Sequence, residues 1–146
     1  RTYYETAVTA NMKKLSQFAQ AAVPNNTPAD YIISDQAIAD FLQSSLASWD
    51  IYTNHEQLIL EQKYIATFWV GMEGWNDYRR TGYPELTIGQ GTEPNDYVLP
   101  TRMGYPNTTT ATNSDHATAA LKNMKANAND MKTALWWSKK AIEAGI

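Results

Sequence analysis

The 146-residue chain carries 43% hydrophobic and 18% charged residues, a formal net charge of −3 and no cysteine. Disulfides, thiol catalysis and thiolate zinc sites are thereby excluded, and the acidic balance argues against nucleic acid as a partner, since such binding shows a basic patch. A chain of this length holds one core and buries about two-thirds of the surface its unfolded form exposes. Its 12% aromatic content, with five Trp and nine Tyr, is rich.

Residues 2–22 fit a helix in which Tyr4, Val8, Met12, Leu15, Phe18 and Ala22 recur at three- and four-residue spacing, with Pro24 ending it. The pattern opens at full stride from Arg1, without initiator Met, signal peptide or cap, which predicts a fragment of a longer chain. A turn-rich linker, NNTPAD at 25–30, follows. Ser34 is then the expected N-cap of a second helix, about 34–48, with Ile38, Phe41, Leu42 and Leu46 on its apolar face. A loop around Asp50 leads into the most distinctive stretch.

That stretch runs from Thr53 to Pro84. Thr53 and Glu56 form a capping-box pattern, while Gly82 suits a left-handed C-terminal position and Pro84 forbids continuation. The expectation is one helix over 54–80, roughly 25 residues and about 38 Å long. Stepped at about 100° per residue, Tyr64, Trp75, Phe68, Met72, Ile65, Leu58 and Trp69 form a very wide apolar arc, which Ala66, Ile59 and Val70 extend. Such a helix is expected to be central and buried, with Glu61, Glu73, Arg79 and Arg80 paired, because an unpaired buried charge costs several kcal/mol. It lacks the run of about 18 uncharged apolar residues that a membrane span requires. Gly71 and Gly74 each cost about 1 kcal/mol of helix propensity, and close approach of another helix is the expected reason for them.

Residues 81–113 read as irregular, rich in Gly, Pro, Asn and Thr, with an extended segment at 96–99. Ser114 is the expected cap of a last helix through Ala126, with Leu121 and Met124 on its apolar side. Near the end, Leu135-Trp136-Trp137 places bulky apolar area where a terminus would otherwise fray.

No constellation for catalysis emerges. Glu61 and Glu73 sit among aromatics, but twelve helical residues separate them by about 18 Å, whereas glycosidase carboxylates lie roughly 5–9.5 Å apart. His55 and His116 have no metal-ligand spacing and read as solvent-exposed helix-start residues. Neither a Gly-rich phosphate loop nor a G-x-S-x-G elbow is present. The reading is therefore no catalytic residue, no metal and no cofactor. The aromatics remain, since Trp and Tyr faces stack on the C–H-rich faces of sugars. Trp69 and Trp75 are read as core because of their helical spacing. Tyr97 and Tyr105, in the irregular region, are weak ligand candidates that rest only on freedom to face solvent.

The helix and its stop also carry a family resemblance. Glu61-Gln62-Lys63-Tyr64-Ile65-Ala66 followed by Glu73-Gly74-Trp75-Asn76-Asp77-Tyr78-Arg79-Arg80-Thr81-Gly82-Tyr83-Pro84 resembles the signature of the C-terminal region of SusD/RagB-like nutrient-binding lipoproteins of Bacteroidetes. Tyr3-Tyr4-Glu5 with Ala10, the run Leu99-Pro100-Thr101-Arg102-Met103-Gly104-Tyr105-Pro106, and Leu135-Trp136-Trp137 agree in order. The chain departs from the pattern at Thr101, where a basic residue is commoner.

The resemblance implies an all-α, SusD-like helical body of the tetratricopeptide-like type, with a long irregular loop region and no substantial sheet. Residues 1–146 would be the C-terminal part of a single such domain. The implied protein is lipid-anchored on the outward face of the outer membrane through an N-terminal Cys absent from this chain. There it binds glycans or peptides and delivers them, without chemistry, to a SusC-like TonB-dependent transporter. Glu73, Trp75, Arg79, Arg80, Gly82 and Pro84 read as a structural motif that fixes the long loop against the helical body. A helical protein-interaction scaffold and, less readily, a polysaccharide-degrading enzyme are the competing functions.

Overall fold

The computed structural model describes residues 1–87, 89 and 98–139. Among these, six α-helices form and no strand does: α1 (Thr2–Ala22), α2 (Asp35–Gln43), α3 (His55–Ala66), α4 (Glu73–Thr81), α5 (Asn107–Thr112) and α6 (Ser114–Asn123). The protein is all-α. No helix among the described residues is long and apolar enough to cross a membrane. The chain divides into two compact units, Arg1–Gly74 and Trp75 onward, each described in turn.

In the first unit, Tyr4 and Val8 of α1 close on Leu58 of α3, with Met12, Phe41, Leu42, Trp49 and Tyr52 packed around them. Leu58 is fully buried. The Tyr4 hydroxyl donates to the Ala47 carbonyl at 2.8 Å, so the ring enters the core without stranding its polar tip. Burial, reinforced by Tyr52 and the Glu5 and Glu61 carboxylates, pushes the Tyr4 phenol up to about 12. The buried line of α1 continues to Ser16, whose Oγ accepts from the Ile33 N–H at 2.9 Å, whereas Leu15 and Phe18 are exposed. Relative to Val8, Met12 and Ser16 lie at about +40° and +80° on the wheel, and Leu15 and Phe18 at about −20° and −80°. Burial thus lies on the positive side of the stripe along the second half of α1, whereas in the first half Tyr4 is buried at about −40°.

Ser34 caps α2, its Oγ accepting from the Ala37 N–H at 3.1 Å. That helix stops at Gln43, short of the expected 48, because Ser44 turns extended and bonds its N–H and hydroxyl back to the Phe41 carbonyl. The cap of α3 is Asn54 rather than Thr53, with its Oδ1 accepting from the Gln57 N–H at 3.2 Å. Asn is at least as good an N-cap as Thr, and the choice shifts the helix start by one residue. His55 is not a free helix-start residue: its ring stacks on Trp49 at 3.8 Å, and Nε2 lies 3.0 Å from the Trp49 carbonyl.

The principal correction concerns the long helix. α3 ends at Ala66 and α4 begins at Glu73, so 54–80 is two helices joined by a turn. The Thr67 hydroxyl bonds back to the Lys63 carbonyl at 2.9 Å, and Phe68 closes a tighter bond to Ile65 at 3.2 Å. The run Thr67-Phe68-Trp69-Val70-Gly71 is β-branched, aromatic or Gly throughout and has low helix propensity. Trp69 and Gly71 both take positive φ, 68° and 50°. The apolar arc consequently fails to bury: Phe68 is 71% and Trp69 91% exposed, with Ile65, Val70 and Met72 also open. Gly71 has no close neighbour among the described residues, whereas a Cβ on Gly74 would lie 2.9 Å from the Tyr64 ring. Gly74 therefore admits that ring rather than a second helix.

In the second unit, α5 occupies part of the stretch expected to be irregular. Pro106, with φ −57°, presets the entry, and its carbonyl accepts from the N–H groups of Thr109 and Thr110. α5 packs on α6. Asn113, not Ser114, is the N-cap position of α6, which ends at Asn123 rather than Ala126. His116 is exposed there. The extended segment expected at 96–99 lies partly outside the described residues.

Leu58→Ala should lower stability by about 2–5 kcal/mol, the cost of a buried Leu truncation. Phe68→Ala, at an exposed site, should stay within about 0.5 kcal/mol. Denaturant unfolding of the two variants checks the contrast.

Candidate functional site

The motif from Trp75 to Pro84 builds the organising cluster of the second unit. Trp75 Nε1 donates to the Pro100 carbonyl at 2.8 Å. The Arg79 guanidinium lies 3.6 Å from the Trp75 ring and 4.8 Å from that of Trp137, a cation between two indoles. It donates to the Thr101 carbonyl at 3.3 Å and to the Asn76 side chain, while its buried Nε has no partner among the described residues. Burial lowers the Arg79 pKa from its ordinary value.

Arg80 instead reaches Asp77 at 3.2 Å, and the Lys63 ammonium lies 3.8 Å from Glu73. Glu61 takes the Tyr52 hydroxyl at 3.1 Å and the Gln57 amide at 2.8 Å. Of the four charges expected to be paired, Glu73 and Arg80 have ionic partners. Glu61 is met by a hydroxyl and an amide, and Arg79 by rings, a carbonyl and an amide oxygen that leave its Nε unmet among the described residues. Thr81 donates to the Asp77 carbonyl at 2.7 Å and accepts from the Tyr83 N–H at 3.1 Å, and Gly82 at φ 80° ends the helix ahead of the cis Tyr83–Pro84 bond.

Thr101 has a definite place. It is 2% exposed, its N–H donates to the Met131 carbonyl at 2.8 Å, and its hydroxyl lies 3.2 and 3.0 Å from the Met131 and Thr133 carbonyls. The neighbouring Arg102, 5% exposed, donates to the Asp130 carbonyl and sits 5.3 Å over the Tyr105 ring. Asn129 accepts from the Tyr105 N–H at 2.7 Å and donates to its carbonyl at 2.8 Å, so Tyr105 is clasped at its backbone and covered on one face. Tyr97 lies outside the described residues.

Asp130 is held below its usual carboxylate value. Burial, the largest influence, pushes it up, but the Thr133 N–H and hydroxyl, the Lys132 N–H and the Arg102 charge together outweigh that. These residues form a structural clasp rather than an open site. Among the described residues no group of three His, Asp or Glu side chains is placed to hold a metal ion.

A concave surface with room for a ligand lies in the first unit. A groove of about 460 Å³ is lined by Tyr3, Tyr4, Ala7, Val8 and Asn11 of α1, by Trp49, by Ile59, Gln62, Lys63 and Ala66 of α3, and by Arg1. Apolar and aromatic walls with a few polar tips are the usual make-up of a small-molecule site. Nothing in the periodicity pointed there, because Tyr3 and Ile59 read as ordinary helix-face residues.

A family described as SusD and RagB outer membrane lipoproteins matches residues 1–138. The chain belongs to this family. It also resembles the crystal structure of a SusD homolog from Bacteroides fragilis NCTC 9343, with a TM-score of 0.71 and 25% sequence identity over 93% of this chain. That match covers 29% of the solved chain, so the sequence spans less than a third of that relative's length. No curated protein matches. The SusD-like family consists of nutrient-binding lipoproteins of the outer membrane, whose members bind rather than catalyse.

Thr101→Val keeps the side-chain shape and removes the hydroxyl, whose single proton is shared by the Met131 and Thr133 carbonyls. The Met131 carbonyl keeps the Thr101 N–H, and the Thr133 carbonyl loses this donor. The substitution should cost about 0.5–1.5 kcal/mol, the net worth of one hydrogen bond, read by thermal unfolding. The depressed Asp130 pKa has a signed consequence. The carboxylate is more acidic folded than unfolded, so its contribution is present above the unfolded value of about 3.9 and is lost as pH falls through the folded one. As pH falls below the ordinary carboxylate range of about 4, the unfolding midpoint of Asp130→Asn should therefore fall less steeply than that of the wild type.

Proposed function

We propose that this chain is the C-terminal part of a single SusD-like domain in a cell-surface lipoprotein that captures glycan nutrients. The protein hands them without chemistry to a SusC-like TonB-dependent transporter in the outer membrane. The observation that carries the reading is family membership over residues 1–138. The aromatic-walled groove supports it, since Tyr3 and Trp49 offer aromatic surface for a sugar while Asn11, Gln62 and Lys63 offer hydrogen bonds. Lipid attachment would lie in a part of the protein beyond these residues, and the surface it faces is the outer one.

A peptide is the second ligand class. The groove's apolar walls suit side chains as well as pyranose faces, and the same walls would serve a helical scaffold that binds only protein. The carboxylates weighed for a hydrolase do not converge: Glu61 is engaged by Tyr52 and Gln57, and Glu73 by Lys63.

Isothermal calorimetry of the full-length protein with starch, xylan and mannan oligosaccharides, and with a tryptic peptide mixture, separates the readings. Saturable heat with an oligosaccharide and none with the peptides is expected. Heat with peptides alone would transfer the function to peptide uptake, and heat with neither would leave the scaffold.

A further inference from the structure

The turn between α3 and α4 holds an aromatic residue in an unfavourable way. Trp69 is 91% exposed and takes φ 68°, a conformation that bulky residues rarely adopt. Strain of this kind persists where the surroundings fix it, and it clusters at ligand-binding and switch sites. Here the turn is fixed from both ends. Thr67 N–H bonds the Lys63 carbonyl at 2.9 Å, Val70 N–H the Thr67 carbonyl at 2.8 Å, and Glu73 N–H the Val70 carbonyl at 3.3 Å. Phe68 sets its ring edge-on to the indole at 5.4 Å, steadying its orientation. Beyond it, Gly71 has nothing within 4 Å of where a Cβ would stand, so space opens beside the tip.

We infer that Trp69, braced by Phe68, is a stacking platform for a neutral pyranose ring. This extends the glycan-capture reading and rests on it. An exposed indole on a hydrogen-bonded turn, with Phe68 against its ring, loses little conformational freedom on stacking, and the apolar face of a sugar suits it. The charges at the base favour a neutral ligand. Lys63 and Glu73 bracket the turn 3.8 Å apart, both about half exposed, and together carry no net charge. An anionic lipid surface finds no basic residue within the turn itself, whereas the ammonium and carboxylate supply a donor and acceptors for sugar hydroxyls.

The test is affinity electrophoresis of the full-length protein through native gels cast with starch, xylan or mannan, together with thermal unfolding. Trp69→Asn removes the ring and substitutes a residue that tolerates positive φ; Trp69→Tyr keeps a flat face. The wild type should be retarded by at least one polysaccharide. Trp69→Asn should bind that polysaccharide about tenfold more weakly, with an unfolding midpoint equal to or above wild type, and Trp69→Tyr should retain most of the retardation. Equal retardation of Trp69→Asn and wild type would overturn the platform and leave glycan capture standing. A lowered midpoint for Trp69→Asn would also overturn it, because the ring would then be packed by another part of the protein. If no polysaccharide retards the wild type, glycan capture and the platform fall together.

Discussion

Backbone polar groups removed from water must find partners, and the second unit meets that constraint with little regular structure to help. Between Tyr83 and Pro106 the described residues form no helix or strand, so the usual ladders are missing. Side chains take their place. Thr101 spends its N–H and hydroxyl on the Met131 and Thr133 carbonyls, Arg102 reaches the Asp130 carbonyl, and Asn129 closes two bonds on Tyr105. The Asp130 carboxylate in turn gathers the N–H groups of Lys132 and Thr133. Two irregular segments thus hold each other by short polar contacts, which explains why Thr and Asn, poor helix formers, are abundant there.

The same constraint gives the arginine pair its asymmetry. Arg80 lies at the surface beside Asp77, where an ion pair contributes about 0–1 kcal/mol. Arg79 is drawn between two indoles and against the Thr101 carbonyl, so its charge is balanced by π faces and a peptide dipole rather than by a carboxylate. Guanidinium suits this position because it is planar and more weakly hydrated than an ammonium. Adjacent identical residues therefore have different duties, and a Lys in place of Arg79 would lose both stacking surfaces.

Much of the helical framework was legible. The three- and four-residue spacing along α1, the Ser34 cap and the Gly82–Pro84 stop each express a local rule, and each is found in the fold. What could not be read was long-range supply. Nothing local tells that Tyr105 is clasped by Asn129, twenty-four residues on, or that Thr101 bonds to carbonyls near 131. His55 and Trp49 are close in sequence, but their stacking depends on how the α2–α3 connection turns. The groove escaped notice for the same reason: its walls come from separate helices, each of which shows only an ordinary face.

The break between α3 and α4 carries the most physical information, because two kinds of sequence signal conflict there. Periodicity across 54–80 favours one wide apolar arc, while the composition of 67–71 favours leaving the helix. Propensity prevails where burial offers no compensation, since a helix interior tolerates β-branched residues and Gly only when packing repays them. Phe68 and Val70 find no such packing among the described residues and remain open to solvent. The two Trp residues on the arc then diverge: Trp75 enters the clasp through Pro100 and Arg79, and Trp69 stands in water at positive φ. One stretch of sequence thus supplies an indole that is hydrogen-bonded and stacked in the second unit and another that the first unit leaves open, because periodicity sets which residues share a face and packing alone decides whether that face is covered.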